Sequence, residues 1–205
     1  LPVGCSRNGI AETFDTSQYR SLYGATKLAS ELIIQEYCEL YGLRIVVNRC
    51  GVIAGSGQWG KADQGIYTLW VAHHFFEKEL RYTGFGGTGK QVRDLLHPDD
   101  LFALVDLQWQ ELAACSGEVY NVGGGVQGST SLRQYTELCR EITGKGVAIS
   151  ADETTAVVDV PYYTTDNAKV SSALGWTPTK GVENIARDIF RWLEAEEQNV
   201  RPIFL

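Results

Sequence analysis

Ser21-Leu22-Tyr23-Gly24-Ala25-Thr26-Lys27-Leu28-Ala29-Ser30-Glu31 opens a strongly helical run and, with the strand-like segment after it, decides the fold. Leu28, Leu32, Ile33, Cys38 and Leu40 recur at helical spacing, which predicts an amphipathic helix over about residues 22–41, and Gly42 supplies a stop. Arg44-Ile45-Val46-Val47-Asn48-Arg49-Cys50 is then a β-rich run bounded by glycines, whose near-continuous apolar centre suits a buried parallel strand. Helix, short turn and strand make half of a βαβ crossover, so an α/β fold built on a parallel sheet is expected.

The same stretch carries a chemical signal. Residues at i and i+4 share one helix face, so the Lys27 ammonium can reach the Tyr23 phenol. Free tyrosine is a poor base because it ionises near pH ~10, and a neighbouring positive charge favours the phenolate. A tyrosinate so prepared can take a proton from a sugar hydroxyl. The spacing alone is a weak signal in a chain with ten tyrosines, where a surface Tyr/Lys pair worth tenths of a kcal/mol is the plain alternative.

At 205 residues and 44% hydrophobic composition, the chain can bury a sizeable core as one domain with a small second lobe. A net charge of −7 and no Lys/Arg cluster argue against nucleic-acid binding. Cys5, Cys38, Cys50, Cys115 and Cys139 are odd in number, scattered and without Cys-x-x-Cys spacing, which favours free thiols over disulfides or zinc. His73-His74 is adjacent rather than spaced for metal ligation, so it reads as helix surface or lobe packing and no metal is expected. No apolar stretch reaches about 18 residues, and Leu1-Pro2-Val3-Gly4 lacks the features of a signal peptide. No membrane association and a cytoplasmic location are the expectation.

Residues 1–20 read as an irregular loop, and 51–65 as a glycine-rich loop. An amphipathic helix is predicted over about 66–78, a strand near Leu80 to Gly84, and a helix over Leu101 to Ala114 begun by Pro98-Asp99-Asp100. A strand over Glu118 to Val122 runs into Gly123-Gly124-Gly125, and a helix over Ser131 to Thr143 stops at Gly144. Helices near 167–174 and 182–196 close the chain, separated by Leu174-Gly175-Trp176-Thr177-Pro178. No internal repeat is present.

Gly84-Phe85-Gly86-Gly87-Thr88-Gly89-Lys90 matches both the dinucleotide and the nucleoside-triphosphate loop patterns, yet neither fits its context. Gln91 stands where the triphosphate loop needs Ser or Thr, and the following Gln91 to Pro98 looks extended where a dinucleotide loop opens a helix. A hairpin or flexible loop beside a substrate site is the better reading.

Taken together, the Tyr23–Lys27 segment, Val47-Asn48-Arg49-Cys50-Gly51-Val52-Ile53-Ala54-Gly55, Gly60-Lys61-Ala62-Asp63-Gln64-Gly65 and Gly84 to His97 resemble the extended short-chain dehydrogenase/reductases that act on nucleotide sugars, the epimerases and dehydratases, from about residue 9 onward. Many relatives carry Arg-x-x-Asn-Val-Tyr-Gly after the strand, whereas this chain has Arg49-Cys50-Gly51-Val52-Ile53-Ala54-Gly55, which points to a 2-epimerase branch. The resemblance implies the C-terminal part of a Rossmann-like parallel sheet with a small substrate-binding lobe. On that reading, residues 1–65 are the remainder of an NAD-binding domain, and 66–205 are mostly substrate lobe, with about 99–122 returning to the sheet.

It also implies NAD as cofactor and a nucleotide-diphosphate sugar as substrate, with Tyr23 as base and Lys27 tuning it and holding the nicotinamide ribose. Cys50, Gly51, Val52 and Ile53 would lie at the nicotinamide, the alternative being strand-end packing. Arg93 would take the diphosphate through its planar fork, the alternative being a salt bridge to Asp94 or Asp100. Lys61 and Gln64 would contact sugar or phosphate, unless they are solvated loop residues, and His97 is expected to cap the next helix. A homodimer or higher homo-oligomer is implied as well. Relatives place a Ser or Thr well upstream of the tyrosine, and a glycine-rich turn for the NAD pyrophosphate earlier still. Ser6 and Thr13 are too close to Tyr23 to match. The chain therefore reads as the C-terminal portion of a protein of about 320 to 350 residues. A dehydratase or decarboxylase on the same scaffold, and a non-catalytic binding fragment, are the competing readings.

Overall fold

The computed structural model describes residues 1–18, 21–60 and 64–204. In chain order the elements are β1 (Cys5–Ser6), β2 (Gly9–Ile10), α1 (Leu22–Tyr41), β3 (Val47–Cys50), β4 (Val52–Ile53), α2 (Ile66–Phe75), β5 (Leu80–Thr83), β6 (Val92–Leu96), α3 (Pro98–Gln110) and α4 (Leu112–Cys115). After these come β7 (Val119–Val122), β8 (Ser129–Ser131), α5 (Leu132–Thr143), β9 (Ile149–Asp152), α6 (Ala168–Leu174), α7 (Val182–Ala195) and α8 (Glu197–Phe204).

The sheet framework is mostly parallel, as the helix-to-strand pattern predicts. β3 pairs in parallel with β7, Val47 opposite Val119 through Cys50 opposite Val122. β6 lies between β4, its parallel partner, and β8, its antiparallel one. β5 pairs in parallel with β9. Gly84 to Lys90 is therefore not a hairpin: the strands it joins do not pair with each other, and a tight turn at Phe85–Gly87 hands the chain from one sheet to the next. Positive φ at Gly86, Gly87 and Gly89 explains the glycines there.

Two apolar clusters hold the elements. One gathers α2, α5, α7 and α8: Tyr67, Trp70 and Val71 meet Leu132, Tyr135 and Cys139, with Ile185, Ile189, Leu193 and Val200 behind them. α7 buries Ile185, Ala186, Ile189 and Leu193, a helical stripe in which each large aliphatic side chain contributes about 1.5–3 kcal/mol. α5 starts on a capping box, in which the Gln134 backbone N–H donates to Ser131 Oγ and the Ser131 N–H to Gln134 Oε1. The second cluster, Leu96, Leu104, Cys115, Tyr120, Val122, Val170 and Trp176, packs α3 and α6 on β7.

Several expectations change. Residues 1–20 include a two-strand hairpin, β1 against β2, and Ile10 bridges to Thr165. α2 ends at Phe75 rather than 78, because Glu77 turns to φ 57. The helix expected over 101–114 and begun by Pro98-Asp99-Asp100 does start at Pro98, but it breaks at Glu111 into α3 and α4. β3 is half-buried, and α1 buries no side chain at all: Leu32, Ile33 and Leu40 of its apolar stripe are 58%, 56% and 70% exposed. β8, β9 and α8 have no counterpart among the elements expected from the sequence.

Candidate active site

Ser21 sets the start of α1. Its extended backbone and an Oγ that accepts from the Gly24 N–H satisfy an otherwise orphaned donor of the first turn. Helical spacing then stacks Lys27 one turn beyond Tyr23, with Nζ 5.3 Å from the ring centroid. Tyr23 is 69% exposed, so phenol and ammonium are presented together on an open surface.

α1 is tied to the sheet by one fork. Arg49, the third residue of β3, donates from Nε to Glu31 Oε1 at 2.9 Å and from Nη2 to Glu31 Oε2 at 2.6 Å, two parallel charge-assisted bonds. Glu31 lies one turn beyond Lys27 and Arg49 directly precedes Cys50, so this pair joins the two segments singled out in the sequence. Glu31 raises the Arg49 pKa through that hydrogen bond, against the opposing effect of burial. Neither residue was expected to matter from the sequence; the i+4 step from Lys27 to Glu31 was the available signal.

At the end of β3, exposed Cys50 donates through Sγ to Asn48 O, and the Gly51 N–H donates to Val122 O at 2.8 Å. Gln58 Nε2 donates to Ile53 O. Behind this turn sits Asp94, fully buried in β6, accepting at Oδ2 from the Gly125 N–H at 2.9 Å and the Thr165 N–H at 3.1 Å. Burial pushes its carboxyl above the ordinary aspartate range, while the hydrogen bonds from Thr165 and Gly125 oppose that. An acid in the middle of a short apolar strand was the cue in the sequence.

Arg93, adjacent in β6, donates from Nη1 to Val92 O and from Nη2 to Asp159 Oδ1 at 2.9 Å. The salt-bridge partner is thus Asp159, in the segment before Tyr162, rather than Asp94 or Asp100, because Asp94 turns inward on the alternating strand. Gln64 is exposed ahead of α2, and Lys61 lies outside the described residues. His97 caps α3 as expected, its Nδ1 accepting from the Asp99 N–H at 3.0 Å. His73 and His74 are held by backbone carbonyls, those of Glu79 and Trp70.

Among the described residues, open pockets of about 400 and 590 Å³ lie elsewhere, neither lined by Tyr23 or Lys27. The one of about 400 Å³ brings Ser56, His97 and Asp188 together, but not as a nucleophile triad. His97 spends Nδ1 on the cap and Nε2 on Asp188, and Ser56 Oγ donates to the Asp188 backbone carbonyl. Among the described residues no group of three His, Cys, Asp or Glu side chains could hold a metal ion. No helix among them is long and apolar enough to cross a membrane.

This arrangement of parallel strands, a Tyr-x-x-x-Lys helix and a glycine turn at the strand ends belongs to a defined class. The model of the NAD dependent epimerase/dehydratase family matches residues 5–123, and the chain belongs to that family. It is 26% identical over 192 residues to CDP-paratose 2-epimerase of Salmonella typhi, covering 90% of this chain and 55% of that protein. It is 32% identical over 170 residues to a dTDP-glucose 4,6-dehydratase of Streptomyces antibioticus, covering 82% and 48%. The chain thus spans about half the length of the curated relatives it matches. Its fold is that of the dTDP-glucose 4,6-dehydratase from Bacillus anthracis, solved in complex with NAD, with a TM-score of 0.78 at 23% identity over 98% of this chain and 60% of that one. An epimerase from Methanothermobacter thermautotrophicus superposes with a TM-score of 0.81 at 16% identity, covering 98% and 60%.

The residues present suit one end of NAD. An exposed phenol and ammonium on one helix face offer hydrogen-bond donors for a ribose. Among the described residues, no strand leads through a glycine-rich turn directly into a helix N-terminus, the arrangement that holds a dinucleotide pyrophosphate.

Proposed function

We propose that this chain is the catalytic-pair and sugar-nucleotide portion of an NAD-dependent nucleotide-sugar epimerase acting at C2 of a CDP-dideoxyhexose, converting CDP-paratose to CDP-tyvelose. The observation that carries the reading is the Tyr23–Lys27 pair, one helical turn apart and open to a ligand. Residues 1–65 would then belong to the cofactor domain and 66–205 mainly to a substrate lobe, with the 99–122 segment rejoining the sheet.

NAD, when bound, supplies a reversible hydride acceptor. Tyr23 would take the proton of the C2 hydroxyl as that carbon is oxidised to a ketone, its hydride passing to the cofactor, and would give the proton back once hydride has returned to the other face, so nothing is consumed. Lys27, whose ammonium lies beside the Tyr23 ring, would donate to the nicotinamide ribose. Cys50, Gly51, Val52 and Ile53 would line the nicotinamide. Arg93 exchanges Asp159 for the diphosphate, trading one charge-assisted acceptor for another. Gln64 and Lys61 contact the sugar or its phosphate.

The matching dehydratases support a second reading on the same scaffold, elimination of water from a dTDP-hexose. Incubation of the purified protein with CDP-paratose and NAD, and separately with dTDP-glucose and NAD, distinguishes them. CDP-tyvelose formed with NAD required but not consumed supports the proposal. Loss of water from dTDP-glucose, with CDP-paratose untouched, supports the dehydratase. Inertness toward both removes the enzymatic reading of this chain.

A further inference from the structure

β6 carries two charged neighbours with opposite orientations, Arg93 outward to Asp159 and Asp94 inward. Around Asp94 and its strand two glycine-bearing segments come close, the Gly123-Gly124 run too close for a side chain and Gly51 tightly. A Cβ on Gly123 would stand 2.2 Å from Asp94 Oδ2 and 2.3 Å from Thr165 Oγ1, and one on Gly124 would stand 2.1 Å from the Leu95 carbonyl oxygen. On Gly51 it would stand 3.2 Å from both Asp94 Oδ1 and Thr165 Oγ1. The glycines are therefore explained by contact with the acid and the strand that bears it, and the acid by the backbone donors of Gly125 and Thr165.

We propose that Asp94 is a positioning residue: its buried carboxylate fixes the spacing among the turn after β3, the Gly123 to Gly125 run after β7 and the Thr164-Thr165 segment. Gly51 and Arg93 border that acid from two directions, so the same group sets the distance between the cofactor side and the phosphate side of the proposed site. This second consequence rests on the function proposed above; the clamp itself does not. A buried carboxylate is an apt device here because one oxygen, Oδ2, accepts from two backbone donors at once, those of Gly125 and Thr165, whereas an apolar residue of the same size would strand those N–H groups.

Hydrogen exchange at single amides tests the clamp. The Gly51 N–H donates to Val122 O and not to Asp94, so its protection changes only if the carboxylate holds the turn in place. Asp94→Asn is compared with Val200→Ala, a core truncation in α8 remote from the clamp, at a temperature where both are folded. Exchange of Gly51 at least about tenfold faster in Asp94→Asn than in Val200→Ala is expected. Equal exchange in the two variants overturns the proposal. Should Asp94→Asn not fold, Asp94→Ser, which also removes the carboxylate and is smaller, enters the same comparison, and Gly51 exchange equal to that in Val200→Ala overturns the proposal. Where the wild-type protein turns over CDP-paratose, kcat of Asp94→Asn falls about tenfold while that of Val200→Ala holds. If it turns over nothing, the proposed function fails, and the exchange result still decides the clamp.

Discussion

At the scale of single residues, the proposed reactive pair and the groups that place it answer to different physics. Tyr23 is exposed and its ring meets Lys27, so removing its hydroxyl disturbs little packing. Tyr23→Phe should lower turnover by about 10²-fold or more while leaving the thermal midpoint unchanged, as read by substrate assay and by calorimetry. Arg49 acts through geometry: lysine keeps the charge but has no fork to match both oxygens of Glu31. Arg49→Lys should destabilise the protein by about 1 kcal/mol in urea unfolding, with the loss concentrated in α1, and Glu31→Gln should behave alike. Tyr67 offers a pH test. Burial pushes its phenol up to about 12, against about 10 in an unfolded chain, so the fold prefers the protonated form. Stability from this group is complete below pH ~10 and is lost as pH rises toward ~12. Urea unfolding across that interval should fall less steeply in Tyr67→Phe than in the wild type.

At the scale of elements, the helix starts and the cross-links between them carry the order. α3 is bound to the segment after α6 through Asp100, buried at 5% exposure. Its carboxylate accepts from the Thr179 N–H, the Thr179 hydroxyl and the Lys180 N–H, and its carbonyl accepts from Trp176 Nε1. That network explains why a Trp-Thr-Pro-Thr-Lys run joins two helices. Asp100→Ala strands the donors that meet the carboxylate and should cost about 3 kcal/mol, measured as a shift of the urea midpoint with an unchanged slope. Helices with caps and strong apolar periods, α1, α5 and α7, were legible in the sequence to within a residue or two. β8 and β9 were not, since three or four residues such as Ser129-Thr130-Ser131 carry no period, and pairing with distant strands alone makes them β.

At the scale of the whole molecule, α1 stands out, twenty residues long with none buried. Leu32, Ile33, Tyr37, Leu40 and Tyr41 on it are large apolar or aromatic side chains left exposed. We propose that a second copy covers it, in line with the homo-oligomer expected from the sequence. Ile33→Glu with Leu40→Lys should then halve the mass seen by light scattering, from twice 22.6 kDa to that of one chain. A wild-type protein already at 22.6 kDa would refute this dimer. The sequence by itself determined the Tyr23–Lys27 pairing, the βαβ half-unit and the His97 cap, because all three depend on neighbours within a few positions, where helical and strand geometry fixes what meets what. Only the tertiary structure decided that Arg49 grips Glu31, that Arg93 pairs with Asp159, and that Asp94 stands against Gly51 and Gly123. Those contacts join residues 18 to 66 positions apart, and no local pattern selects among the many acids and bases that chain folding could bring together.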